Sequence, residues 1–314
     1  MPNSNSAFSS TFFTVFTATH NRKELLPRLY LSLQKQTYPN FEWLVMDDGS
    51  TDGTEEIIKQ WQDEKKINIV YHWQKNQGKH IAINSLTQIA NGELCVIIDS
   101  DDELLPNSLE RLKFHWDYFS LYEKETVAGI SCTIQNQYGK LIGNKFPKDY
   151  QIMDMVGMGL VNRVIGDKGV MLQIKALKMY RFPENLNNFV VGEGALWSQM
   201  AKDWKMCFIN ETLVTAWVEG RSDSLSLLST KIKNYPGTLY SHECFLNYNM
   251  RFFFNRPKLF FGEATRYTRL SFHLGINLKT QFLKIKPFSA KVLWIIFIPL
   301  GFLFFIKDKY THKL

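Results

Sequence analysis

The chain has 314 residues, 45% of them hydrophobic, and a formal net charge of +7. That length and apolar content exclude a disordered or fibrous protein and allow one large core or two modest ones. Lys279 to Leu314 carries +6 of the charge, so the body is near neutral and lacks the electrostatic basis for binding nucleic acid.

Cys95, Cys132, Cys207 and Cys244 are far apart, with no Cys-x-x-Cys pair, which suggests neither a disulfide framework nor a zinc site and fits a reducing cytoplasm best. The N-terminus lacks a charged region followed by an apolar core, the mark of a secretory signal, and residues 1–10 read as a short disordered lead.

Strand and helix signals alternate through the first 120 residues, which predicts an α/β fold with a mostly parallel, helix-covered sheet. Phe12 to Thr17 is the first expected strand. Arg22 to Gln36 follows as a helix, with leucines at helical spacing and a stop before Tyr38-Pro39. A second strand, Phe41 to Met46, precedes a helix from Gly53 to Lys65, where Asp52 and Glu55 read as a capping box. Ile67 to Trp73 is the next strand, Gly78 to Asn91 the next helix, and a further strand begins at Leu94. Beyond these, Val127 to Ile134 and Met206 to Val218 read as strands, Gly194 to Asp203 as a helix, and Gly157 to Gly169 as an acceptor-side loop.

Three of the apolar runs end in polar loops. Phe12 to Thr17 ends in Ala18-Thr19-His20-Asn21-Arg22, and Phe41 to Met46 ends in Asp47-Asp48-Gly49-Ser50-Thr51-Asp52. Cys95 to Ile98 ends in Asp99-Ser100-Asp101-Asp102. Parallel sheets place ligands beyond the carboxyl ends of their strands. On an extended chain Asp99 and Asp101 would share one side, placed to hold a hard divalent cation together with a nucleotide diphosphate. The alternative is an acidic approach to a helix near Asn107 and Glu110.

These loops, together with Gln36-Thr37-Tyr38 and Asn76-Gln77-Gly78-Lys79, resemble the family 2 glycosyltransferases in motif and in order over about the first 110 residues. The resemblance implies an A-type nucleotide-sugar fold, an inverting mechanism and a Mg²⁺ or Mn²⁺ ion held by Asp99 and Asp101. It places Thr17, Ala18, Thr19, Asn21, Arg22, Lys79, Asp99 and Ser100 at the nucleotide, with Asp48 at a uracil N–H. An inverting transfer needs a general base. Its expected place is Glu193, although Gly194 follows where the family commonly has a second acid. Asp167 is the second candidate, for the base or for acceptor hydroxyls.

The implied organisation is a nucleotide-sugar half over 11–125, an acceptor half over 126–225 and a helical region over 226–314. In the last, Val292 to Ile306 is free of charge and flanked by lysines. As a helix of that length it would reach roughly 22 Å, short of a ~30 Å hydrocarbon core, so residues 279–314 are expected to lie in the interface with Trp294 in the lipid, the alternatives being a helix docked on the catalytic core or an oligomer contact. The partners expected are a nucleotide-sugar donor, probed first as a uridine diphosphate sugar, and a saccharide or lipid-linked acceptor at the inner face of the cell membrane. The rivals are a nucleotidyltransferase and a non-catalytic, membrane-tethered sugar-nucleotide or polysaccharide binding protein. Against the first, the chain lacks a Gly-rich basic loop near its N-terminus.

Overall fold

Four strands of parallel sheet lie at the front of the chain. The structure, a computed structural model, describes residues 12–187, 189–218 and 232–312. The expected disordered lead lies outside them. Strands β1 (Phe13–Thr19), β2 (Phe41–Asp47), β3 (Ile69–Trp73) and β4 (Leu94–Ile97) alternate with helices α1 (Leu26–Gln34), α2 (Thr54–Glu64) and α3 (Lys79–Ile89). All pairings within this set are parallel, in the order β3-β2-β1-β4.

Side-chain alternation explains why such continuous apolar runs fold this way. Phe13, Val15, Trp43, Val45, Leu94 and Val96 enter a core with Leu29, Trp61 and, further on, Leu109 and Trp116. Their neighbours Phe16, Leu44, Met46 and Cys95 enter a second core on the opposite face with Ala82 and Leu86. Both faces of the central strands are covered, so they are mainly apolar, with Thr14, Thr17 and Glu42 buried among the apolar residues. Burying a large side chain fully contributes roughly 1.5–3 kcal/mol, and Trp43 and Phe13 are 0% exposed.

The second half extends the sheet with mixed polarity. It contains β5 (Glu103–Leu104), α4 (Ser108–Asp117), β6 (Val127–Asn136), β7 (Gln151–Met153), α5 (Met155–Leu160), β8 (Gly169–Gln173), α6 (Ile174–Leu177), α7 (Gly194–Met200) and β9 (Lys205–Ala216). Strand β8 runs antiparallel between β4 and β6, β9 pairs parallel with β6, and β5 and β7 pair antiparallel with β9. Gly129 permits the tight β6–β8 approach, since a Cβ there would lie 1.8 Å from the Met171 carbonyl oxygen.

Three local expectations are corrected. The Asp52 capping box does not form: Gly53, at φ 89°, is the N-cap, and Asp52 instead accepts from the Thr54 amide and hydroxyl. The Gly157 to Gly169 loop is helical over its first residues, within α5, because Asp154 caps that helix through the Gly157 amide at 2.7 Å. Asp99 to Asp102 is a turn rather than extended chain, closed by the Asp102 amide donating to the Asp99 carbonyl at 3.2 Å.

Four helices follow residue 231: α8 (Tyr235–Tyr248), α9 (Pro257–His273), α10 (Leu278–Lys284) and α11 (Phe288–His312). They have their own core, including Leu246, Phe260, Tyr267, Leu293 and Trp294. Gly301 lets α11 approach α9 closely, because a Cβ there would meet the Thr268 Cβ at 2.6 Å. Arg269 of α9 binds Asp308 of α11 with both guanidinium branches, at 2.6 and 2.8 Å, and His273 adds a third contact at 2.8 Å.

The tail helix is therefore longer than its charge-free stretch. At 25 residues it reaches about 37 Å, and among the described residues it is the one helix long and apolar enough to cross a membrane. Trp294 is 3% exposed and donates its indole N–H to Gln281, so it faces the protein and not the lipid. Ile295, Ile296 and Leu303 form part of an exposed apolar face on the other side.

Candidate active site

The parallel strands end at one edge, where Thr19 lies opposite Asp47 and Phe16 opposite Ile97. Their loops interlock before any chemistry is considered. Asn21, at φ 51°, donates its amide to Ser50 Oγ and accepts the Thr51 amide at 2.8 Å, joining the first two loops. Asp48 is almost wholly buried and accepts from the Gln77 amide (2.8 Å), the Gly78 amide (2.7 Å) and the Gln74 side chain (2.7 Å). That anchors the 74–78 loop immediately ahead of α3. A carboxylate has about four lone-pair positions, so these three donors leave one acceptor position on Asp48 unused.

Lys79, the first residue of α3, stands at the centre of the charges. Its Nζ lies 2.5 Å from Asp99 Oδ1 and 2.8 Å from Glu193 Oε1. Burial alone would lower the pKa of this ammonium, but the Asp99 and Glu193 charges outweigh that and the net shift is upward. In return the Lys79 charge holds Asp99 below the usual carboxylate range, against its desolvation. Asp101 is paired separately: Arg22 Nη1 donates to its Oδ2 at 2.9 Å, and Arg28 Nη1 donates to its carbonyl at 3.0 Å.

The structure thus brings Arg22, Lys79, Asp99, Asp101 and Glu193 together from four places in the sequence. Thr19 is 3% exposed and its hydroxyl has no partner among the described residues. Ala18 is half-buried and Ser100 is buried at the same edge. Thr17 is corrected: its hydroxyl is in the core, where it accepts the Trp43 indole N–H at 3.1 Å, so its side chain does not reach a ligand. Asp167 is exposed on the loop before β8. Because Val170 pairs with Ile97, that loop emerges at the edge where Asp99 sits. Trp217 packs its ring against the Arg28 guanidinium at 3.7 Å and donates its indole N–H to Glu103, which supports this edge.

Two residues of the site were not foreseen. Arg28 lies in the first turn of α1, where sequence gives it no distinction. Asp102 accepts the Trp217 amide at 3.1 Å, and burial, followed by the Asp99 and Asp101 charges, pushes its pKa up to about 7. The run of three acids was the signal for the latter.

Among the described residues no group of three His, Cys, Asp or Glu side chains gathers as a metal cage. Asp99 and Asp101 offer two hard carboxylates at the edge where the parallel strands end, and Mg²⁺ or Mn²⁺ is commonly bound by one or two carboxylates plus substrate phosphates. The residues fit such an ion.

Residues 14–120 match the family model described as glycosyl transferase family 2. This stretch is a family 2 glycosyltransferase domain. The chain is 37% identical over 102 residues to the abequosyltransferase RfbV of Salmonella typhimurium, covering 32% of this chain and 31% of that one. It is 33% identical over 100 residues to the GalNAc(5)-diNAcBac-PP-undecaprenol beta-1,3-glucosyltransferase of Campylobacter jejuni, covering 32% of each. The similarity spans about a third of the length of the curated relatives matched first, from 31% to 39%. Among solved structures, S. aureus TarS 1–349 in complex with UDP-GlcNAc superposes with a TM-score of 0.63 at 17% identity, covering 96% of this chain and 92% of that chain. The likeness to TarS is one of fold.

Proposed function

We propose that this protein is an inverting, metal-dependent glycosyltransferase that moves one sugar from a uridine diphosphate donor to a saccharide or lipid-linked acceptor in cell-surface polysaccharide synthesis. The observation that carries the reading is the gathering of Asp99, Asp101, Arg22, Lys79 and Glu193 where the parallel strands of a family 2 domain end.

Asp101 and Asp99 would hold Mg²⁺ or Mn²⁺, which when bound supplies electrostatic stabilisation to the departing diphosphate. Arg22 and Lys79 reinforce that stabilisation from the first loop and the start of α3. The Asp48 carboxylate keeps the 74–78 loop in place and offers its remaining acceptor position to the base. The acceptor oxygen forms a bond to the anomeric carbon as the bond from that carbon to the diphosphate breaks, its electron pair leaving with the diphosphate. Glu193 takes the proton of the attacking hydroxyl. Asp167, exposed at the same edge, orients acceptor hydroxyls or substitutes as the base.

The exposed face of α11, flanked by Lys284, Lys286, Lys291, Lys307 and Lys309, suits the boundary of an anionic membrane on the cytoplasmic side. A lipid-linked acceptor would be held at that boundary. The test is calorimetric binding of UDP to the purified protein with and without Mn²⁺. Binding strengthened by Mn²⁺ in wild type and not in Asp101→Ala is expected. UDP binding indifferent to both would contradict the site.

A further inference from the structure

Helices α9 and α11 meet closely at Thr268 and Gly301 but leave a groove beside that contact. Its volume is about 270 Å³, and its walls are Phe261, Thr265 and Arg269, four residues apart on α9, and Phe297, Leu300 and Phe304 on α11. Eight residues of helix make it roughly 12 Å long. The lining is mostly apolar. Phe261 and Phe297 stack with ring centres 4.9 Å apart, and Thr265 donates its hydroxyl to the Phe261 carbonyl at 2.8 Å, so the floor presents no unpaired donor there. Ile296, Leu300 and Phe304 follow one another at four-residue spacing and are all exposed, which makes the groove continuous with the apolar face of α11.

Two arginines stand at the rim. Their partner carboxylates, Glu263 and Asp308, are only 12% and 11% exposed, whereas Arg266 and Arg269 are 54% and 37% exposed, so the acids face inward and the cations outward. His242 and His273 give those acids further partners. Of the five N–H groups on a guanidinium, Arg266 gives one to Glu263 and Arg269 gives two to Asp308. Gly262 makes a bed for Arg266, since a Cβ there would lie 3.3 Å from its Nη1. Glycine inside a helix is less stable than alanine, and here it leaves room for the guanidinium over the groove.

Resting on the reading of α11 as the membrane face, we propose that this groove binds one phospholipid of an anionic membrane. A length of its acyl chain lies between Phe261, Phe297, Leu300 and Phe304, and its phosphate takes the remaining N–H groups of Arg266 and Arg269. An apolar slot that opens onto a lipid-facing surface and carries planar, multiply donating cations at its rim matches a hydrocarbon chain that ends in a phosphate. A second copy of this chain would bring the same cations to the rim and be repelled there.

The test is calorimetric titration of the full-length protein with hexyl, octyl and decyl phosphate below their micelle concentrations, beside inorganic phosphate and octyl glucoside. Each added methylene should tighten binding about two- to fourfold until the groove is filled. Inorganic phosphate and octyl glucoside should each bind roughly tenfold more weakly than octyl phosphate, because each supplies only half of the contact. Arg266→Gln and Leu300→Gln should each weaken octyl phosphate roughly tenfold, with UDP binding and circular dichroism as in wild type. Ile296→Glu with Leu303→Glu should retain octyl phosphate binding while losing vesicle flotation, so the groove and the membrane face are read separately. Octyl phosphate affinity that is equal in wild type and both groove variants, or that is independent of chain length, would overturn the proposal. So would inorganic phosphate or octyl glucoside binding as tightly as octyl phosphate, the marks of a bare anion site and of an unspecific detergent patch. A wild-type dimer that Leu300→Gln dissociates would overturn it too, by giving the groove to a second copy.

Discussion

Glu193 Oε1 lies 2.8 Å from Lys79 Nζ, which joins the start of α3, the helix after the third strand, to the N-terminus of α7. The contact gives Glu193 a fixed place beside Asp99, whereas Asp167 shares only the sheet edge. Glu193→Gln should therefore keep UDP and Mn²⁺ binding while lowering turnover by roughly 10²–10⁴-fold, because only proton removal is lost. Steady-state rates on the variant and on Asp167→Asn decide between them, and the larger kcat loss in Asp167→Asn would move the base to that residue.

Asp48→Ala removes the acceptor of two loop amides and one side-chain amide. Hydrogen bonds to a charged group contribute about 1.5–3 kcal/mol each, so the variant should melt at lower temperature and bind UDP more weakly. Asp48→Asn, which preserves shape, should recover part of the stability. Thermal melting with and without UDP checks both effects, and an unchanged melting temperature in Asp48→Ala would refute the anchoring role.

Glu211 on β9 accepts from Arg111 at 2.7 and 3.0 Å and contacts His115 at 2.7 Å. Burial would raise its pKa, but the Arg111 and His115 interactions outweigh this and hold it low. A carboxylate with a depressed folded pKa contributes stability above its unfolded pKa and loses it as pH falls through the folded value. Glu211→Gln should cost about 1–2 kcal/mol at neutral pH, after allowance for partial exposure, and less in acid. Urea unfolding at neutral pH and near pH 3 measures the difference, and an equal cost at both would contradict the linkage.

Ile296→Glu with Leu303→Glu places charge on the exposed face of α11 without touching its buried contacts to α9. Flotation with anionic vesicles should fall sharply in this double variant while its circular dichroism stays that of wild type. Added salt should weaken wild-type flotation only in part, since the lysine attraction is screened but apolar burial is not. Undiminished flotation of the variant would rule out this face as the membrane contact.

The parallel α/β class and the motif edge were legible in sequence because the first, second and fourth strands are mainly apolar and end in loops of acids, Thr or Asn. What escaped was non-local. The Lys79 to Glu193 pair and the Arg28 contact to the Asp101 carbonyl depend on helices docking on the sheet, which no local pattern encodes. The tail helix was underestimated because Asp308 and its flanking lysines read as a boundary; Arg269 and His273 compensate that acid from another helix. Trp294 likewise looked like a lipid anchor until Gln281 received its N–H. The Asp99 to Asp102 turn hides behind an apolar run that gives no sign of where extension stops.

Turnover tests the central claim most directly. A panel of UDP-sugars incubated with purified protein and Mn²⁺, scored for released UDP with Asp101→Ala alongside, should show release from at least one donor that requires Mn²⁺ and disappears in the variant. Release from that donor at equal rates in wild type and Asp101→Ala, or no binding and no turnover of any UDP-sugar, would contradict the account.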